Sequence, residues 1–302
     1  MNPILEALQY PFMQQALAVA LLLAVTCALL SCYIVHKGWA LMGDAISHAV
    51  LPGIVIASSL GAPLILGAFA AGLTCTLATG WLEERSTLKS DTLLGITFAT
   101  LFAAGFLLYQ KSGTDQHLTH ILFGNLLGIT PTQLWQVVAI CAVVLAILAV
   151  KWRDYLLYTF DEAQARLVGM NVPLLHTSLL IMLTLTAIGA MQAVGVVLVV
   201  ALLIAPGASA QLVTRRFHHT LAVAVALSVA ASISGVLISY HLNASIGASI
   251  VLCQAAGFLL MLATAVWFIL RMIFGLQMPL VWVQSINPVF IIVLSGVFAA
   301  LW

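Results

Sequence analysis

Residues 167–214 read LVGMNVPLLHTSLLIMLTLTAIGAMQAVGVVLVVALLIAPGASAQLVT, a run of 48 positions without Asp, Glu, Lys or Arg. A helix needs about 20 apolar residues to cross the hydrocarbon of a bilayer, so this run is too long for one crossing and suits two. The stretch from Gly189 to Gly195 offers the place to turn, which puts spans at about 173–190 and 192–212.

Outward from there the same measure applies to every uncharged run. Residues 7–36 make one span, and residues 45–82 hold two, divided at Gly61-Ala62-Pro63. Residues 92–110 and 131–150 give one each, and 217–270 splits at His241-Leu242-Asn243-Ala244-Ser245 into two more. The expected count is nine, with an apolar stretch at 286–302 that forms a tenth or lies on the membrane surface. The fold class is therefore all-α: a polytopic membrane protein with about eight or nine transmembrane helices, in one domain over residues 1–302.

Composition excludes the alternatives. The chain is 63% hydrophobic and 6% charged, against roughly 25% charged residues in soluble globular proteins. A net charge of +1 gives no basic footprint for nucleic acid. Cys27, Cys32, Cys75, Cys141 and Cys253 fall singly in apolar stretches and read as small buried hydrophobes. Met1 to Pro11 contain Glu6 and no Lys or Arg, so the first apolar segment is expected to stay in the mature protein rather than act as a cleaved signal.

Short loops rich in Lys and Arg stay on the cytoplasmic side. With the N-terminus outside, Lys37, Arg85, Lys89, Lys151, Arg153, Arg166, Arg215, Arg216 and Arg271 all lie inside, and of the ten basic residues Lys111 alone lies outside. Residues 151–172 form the longest and most charged of these inner connections. Within it, 161–168 has a helical pattern: Asp161 can cap it, Glu162 suits the first turn and Gly169 can end it. The bland reading is an interfacial amphipathic turn; the functional one is a docking element for a soluble partner.

Most acids sit in loops or at helix ends: Glu6, Glu83, Glu84, Asp91, Asp115, Asp154, Asp161 and Glu162. Asp44 is the exception, and a carboxylate within a span costs roughly 2.5–3.5 kcal/mol at the helix centre. His48 follows four residues later, on the same helical face, where the two can grip one ion or one proton. The alternative is an Asp capping the second span with a histidine packed nearby. Other histidines are weaker. His117 and His120 near Asp115 could capture a metal in an outer loop or simply be solvated, His218 and His219 follow Arg215-Arg216, and His36, His176 and His241 are expected at helix ends in contact with water. There is no G-x-x-x-x-G-K-[ST], H-E-x-x-H or G-x-S-x-G, so the chain reads as a transporter and not as an ATPase or hydrolase.

The segment Gly43-Asp44-Ala45-Ile46-Ser47-His48-Ala49-Val50-Leu51-Pro52-Gly53 resembles permeases of the ABC-type manganese, zinc and iron import family, nearer the manganese/iron branch. Asp91-Thr92-Leu93-Leu94-Gly95-Ile96 is similar to the start of one of its spans, and Asp161-Glu162-Ala163-Gln164-Ala165-Arg166-Leu167-Val168-Gly169 to its cytoplasmic coupling helix. Gly195 through Pro206-Gly207-Ala208 is similar to its late, proline-interrupted span. The resemblance covers roughly residues 10–270, and 275–302 departs from it as an atypical apolar tail.

What the resemblance implies is a type II ABC importer-like permease in a bacterial inner membrane, paired with a second copy or a paralogue. It would bind a cytoplasmic ATP-binding subunit through Asp161, Glu162, Ala163, Ala165 and Gly169, and accept metal from an extracytoplasmic binding protein. Asp44 and His48 would coordinate the transported ion, Mn²⁺ or Fe²⁺ ahead of Zn²⁺, with no permanently bound cofactor. Carboxylate and imidazole suit those ions, whereas Cu(I) would want Cys or Met. One Asp and one His are few ligands, and a two-fold dimer would bring two of each to one axis. The rivals are an ion- or proton-coupled secondary transporter, with the pair as a proton relay, and an intramembrane enzyme, which would lack a nucleophile or a complete metal triad.

Overall fold

A computed structural model of the chain describes residues 9–83, 85–88, 90–112 and 128–274. Glu6, Glu84, Lys89, Asp115, His117, His120 and the tail 275–302 lie outside the described residues. The elements in chain order are α1 (Pro11–Lys37), α2 (Met42–Ala49), α3 (Leu51–Ser59), α4 (Leu64–Glu83), α5 (Ser90–Ser112), α6 (Pro131–Phe160), α7 (Glu162–Leu167), α8 (Val172–Val194), α9 (Val196–Val213), α10 (Phe217–Leu242) and α11 (Ile246–Phe274), with no strand among the described residues.

Eight of these helices (α1, α4, α5, α6, α8, α9, α10 and α11) are long and apolar enough to cross a membrane. The second of the nine expected spans is therefore not a continuous helix: residues 42–59 form α2 and α3, which meet at Val50. Pro52 explains the interruption, because it has no N–H to offer the His48 carbonyl four residues back. Val50 keeps helical backbone angles, φ −68° and ψ −25°, so the chain is interrupted there without reversing.

The expected turns are realised with the chemistry their residues allow. Gly195, at φ +85° and ψ 164°, is the single residue between α8 and α9, a conformation open only to glycine. Asn243, at φ 48°, ends α10, and Gly61, at φ +67°, sits between α3 and α4. α1 begins with Pro at its first position and ends at Gly38, φ +76°, where the Gly38 and Trp39 N–H groups recover the Val35 and Ile34 carbonyls at 3.2 and 2.9 Å. α6 opens with a capping box: Gln133 N–H donates to Thr130 Oγ1 at 3.3 Å, and Thr130 N–H donates to Gln133 Oε1 at 3.0 Å.

α1 is the central column, packed by α9, α10 and α6. Small residues such as Ala16, Ala20, Ala24, Cys27, Ala28 and Ser31 are buried along it, which lets neighbouring helices approach where apolar burial alone gives little drive in lipid. Ser31 also mends a gap in α9. Pro206 interrupts that helix, and the next N–H, of Gly207, donates to Ser31 Oγ at 2.9 Å while Ser31 Oγ donates to the Ile204 carbonyl at 3.2 Å. Cys27, Cys32, Cys75 and Cys141 are buried and Cys253 half-buried, all as free thiols.

The inner connection is more ordered than a loop. α6 continues past the expected boundary at 150 to Phe160, with one non-helical residue at Lys151, φ −110° and ψ 21°. Tyr155 and Tyr158, buried at i, i+3, hold this extension to α8: Tyr155 Oη lies 2.7 Å from Ser178 Oγ and Tyr158 Oη 2.8 Å from His176 Nδ1.

Candidate functional site

Two places carry the sequence-derived candidates. The first is α2. Its N-cap position is Leu41, which makes no side-chain capping bond, and Asp44 is the third residue of the helix. Asp44 is thus not a cap. Its Oδ1 lies 3.4 Å from His48 Nε2, with the two side chains 39% and 35% exposed, so the i, i+4 spacing does bring them together on one half-open face.

The surroundings of the pair come from α5 and α9. Phe98 stacks on the His48 imidazole at 6.0 Å between ring centroids, and Phe102 meets it edge-on at 5.7 Å. One turn further along α5, Gly105 lies so close to the break in the helix that a Cβ there would sit 2.6 Å from Pro52 N. Gly53 and Gly67 bring α3 and α4 into backbone contact; a Cβ on Gly53 would be 1.9 Å from the Gly67 carbonyl oxygen. Behind Asp44, Gly43 packs on Leu203 of α9, and Ser47 Oγ donates to the Gly43 carbonyl at 2.8 Å.

Chemically the pair offers one carboxylate oxygen and one imidazole nitrogen, donors that suit Mn²⁺, Fe²⁺ or Zn²⁺. Among the described residues no cluster of three or more His, Cys, Asp or Glu side chains is placed to hold a metal ion. At this pair a single chain offers two donor side chains, fewer than a complete coordination sphere for such an ion.

The second place is α7. Asp161 caps it as expected, accepting from Gln164 N–H at 2.8 Å. At the other end Gly169, φ +84°, lets the Gly169 and Met170 N–H groups bond the Arg166 and Ala165 carbonyls, each at 3.0 Å. Glu162 Oε1 accepts from Arg166 at 2.6 Å and Glu162 Oε2 from Lys37 Nζ at 3.3 Å, which joins α7 to the end of α1. Burial raises the Glu162 carboxyl, but the Arg166 hydrogen bond and the Lys37 charge outweigh it and hold it below the ordinary 4.5.

One candidate of the docking set needs correction. Ala165 is 0% exposed: it faces the chain's own interior and presents nothing to a partner. Asp161, Ala163 and Gly169 are exposed and Glu162 half-buried, while Leu167 is an exposed large hydrophobic side chain, 87% open. His176 lies near the start of its helix as expected, half-buried, with partners of its own. It sits within α8, bonded to Tyr158 and edge-on to Trp39 at 5.1 Å. Lys37, Trp39, Tyr158, Glu162, Arg166 and His176 line a cavity of 920 Å³ between α7 and the ends of α1, α4 and α8.

Sequence reasoning missed Phe98 and Phe102, whose i, i+4 spacing on a span is indistinguishable from a lipid-facing stripe, and Lys37, which the charge bias alone accounted for. The Asp91 backbone lies in the first turn of α5 as the motif expects.

Comparison with known proteins agrees with these features. The profile of the family described as the ABC 3 transport family matches residues 9–265. A Haemophilus influenzae protein named "Probable iron transport system membrane protein" is 52% identical over 260 residues, 86% of this chain and 96% of that one. The manganese transport system membrane protein MntC of Halalkalibacterium halodurans is 43% identical over 256 residues, 84% of this chain and 88% of that one. Among solved structures, PsaBC from Streptococcus pneumoniae in complex with Fab superposes with a TM-score of 0.75 at 36% identity, covering 85% of this chain and 94% of that chain.

Proposed function

The chain belongs to the ABC 3 transport family, and on that premise we propose that it is the membrane permease subunit of an ATP-driven importer that carries Mn²⁺ or Fe²⁺ inward across a bacterial inner membrane. The metal is substrate and not a resident cofactor. One observation carries the metal reading beyond the family: Asp44 and His48 lie 3.4 Å apart, half-exposed, in a chain closely similar to proteins named for iron and manganese transport. In this reading a second copy or a paralogue meets the first around a two-fold axis, so that two carboxylates and two imidazoles surround the ion. Such a site is weak enough to release what it binds, as conduction requires.

Energy comes from a separate cytoplasmic ATP-binding subunit, because the chain has no phosphate-cradling G-x-x-x-x-G-K-[ST] loop. That subunit docks on α7 through Ala163 and Leu167, with Asp161, Glu162 and Gly169 fixing the helix, and an extracytoplasmic binding protein delivers the ion from the opposite face. The distribution of basic residues supports the orientation, with α7 inside and the N-terminus outside. Accumulation of Mn, Fe and Zn isotopes, compared in cells with and without this chain and its ATPase, tests the proposal. Mn or Fe uptake should require both; uptake that persists without the ATPase would move the chain to ion-coupled secondary transport.

A further inference from the structure

Lys37 is the last residue of α1, and its ammonium is held from two directions. Glu162 of α7 pairs with it at 3.3 Å, and the Tyr158 ring lies 3.9 Å beneath it. Its side chain is only 14% exposed. Two residues on, across Gly38 at φ +76°, Trp39 is buried and meets the His176 ring edge-on at 5.1 Å, and His176 is bonded in turn to Tyr158 at 2.8 Å. Trp39 then joins directly to α2: the Trp39 carbonyl accepts from Met42 N–H at 3.0 Å and the Leu41 carbonyl from Ala45 N–H at 2.9 Å. Asp44 lies in that same turn. The 920 Å³ cavity bordered by Lys37, Trp39, Glu162 and His176 lies against this connection, which therefore has open space on one side instead of the close packing of an interior.

We infer that the Glu162–Lys37 ion pair is the link by which a displacement of α7 reaches Asp44, with Lys37 a positioning residue for the ion-binding pair that acts through the turn at residues 38–41. The inference rests on the permease reading above. α7 packs on α6 and α8, and Glu162 is the side chain that extends its reach to α1. A movement of α7 pulls on Lys37; Trp39 is anchored against His176 of α8, so the turn between them changes shape and α2 rotates with it.

The test uses the whole importer, permease with its ATPase and binding protein, reconstituted in liposomes, and reads Mn²⁺ taken up per ATP hydrolysed. Lys37→Gln should assemble and hydrolyse ATP within about twofold of wild type while Mn²⁺ per ATP falls about tenfold, a coupling loss of ordinary allosteric size. Lys37→Arg should keep most of the ratio. The exchanged pair Lys37→Glu with Glu162→Lys should recover about fivefold over Lys37→Glu alone, because the two side chains act as a pair. Lys37→Met, which keeps an apolar stem over the Tyr158 ring, carries the same expectation if Lys37→Gln fails to fold. A wild-type ratio in Lys37→Gln or Lys37→Met, or an exchanged pair no better than the single variant, overturns the link. Absence of ATP-driven Mn²⁺ and Fe²⁺ uptake by the wild-type importer would instead overturn the permease reading itself.

Discussion

α2, which carries Asp44 and His48, has eight residues, and α7, which carries Glu162 and Ala163, has six. α7 is made by its own sequence: an Asp cap, an acid in the first turn, Arg166 in the last and a glycine to end it. α2 has no side-chain cap and ends three residues before a proline. Its neighbours hold it instead, with Met42, Gly43, Ala45, Ile46, Ser47 and Ala49 all buried. α7, the helix proposed to dock a partner, is locally self-sufficient and exposed. α2, which carries the proposed ion-binding pair, is fixed by contacts from α4, α5, α8 and α9.

The contrast can be broken by attacking each helix at its own support. The largest effect should come from Gly53→Val, which forces a side chain into the Gly67 backbone beside the Pro52 break. We expect a loss of about 3 kcal/mol or more, seen as collapse of detergent thermostability and of uptake together. Next come Asp44→Asn and His48→Leu, which leave the packing in place. Each should reach the membrane and bind the ATPase normally yet lose at least about tenfold in Mn²⁺ uptake, the scale on which metal sites respond to altered ligation. Near-normal uptake in both would remove the pair from the transport path.

A third pair separates the two faces of α7. Ala165→Trp should destabilise the permease by about 2 kcal/mol through overpacking, whereas Ala163→Trp should leave thermostability unchanged and reduce copurification of the ATPase. Equal behaviour of the two variants would dissolve the distinction. The smallest effect belongs to the cap: Asp161→Ala should cost about 1 kcal/mol. Acid should act in the same direction through Glu162, whose carboxyl is held below its ordinary value. A lowered folded-state value means the contribution is present above about pH 4.5 and is lost as pH falls through that lowered value. Titrating thermostability of wild type against Glu162→Gln checks this, since the variant should lack that step.

What the sequence made legible followed the same division. The α7 boundaries, the turn at Gly195 and the break near Asn243 are written in residues adjacent in the chain. The i, i+4 approach of Asp44 and His48 is equally local. The extension of α6 to Phe160 was hidden, because Lys151, Arg153 and Asp154 look like loop residues while the burial that sustains the helix comes from α8. The inward face of Ala165 was hidden for a related reason: a six-residue helix shows no periodicity from which to tell its faces apart. Lys37 and Glu162 are separated by 125 positions, and only folding puts them together.

The interruption at Pro52 also bears on how the chain enters the bilayer during synthesis. Residues 42–59 are a poor insertion signal by themselves: they are short, hold Asp44 and His48, and lack one backbone donor in the middle. α4 is a sufficient one. The turn at Gly61 and the contact of Gly53 with Gly67 make α3 and α4 a hairpin. Membrane entry of the Asp44–His48 segment is thus favoured by its pairing with α4. A stretch that partitions poorly into lipid alone gains its partner from the helix that follows it.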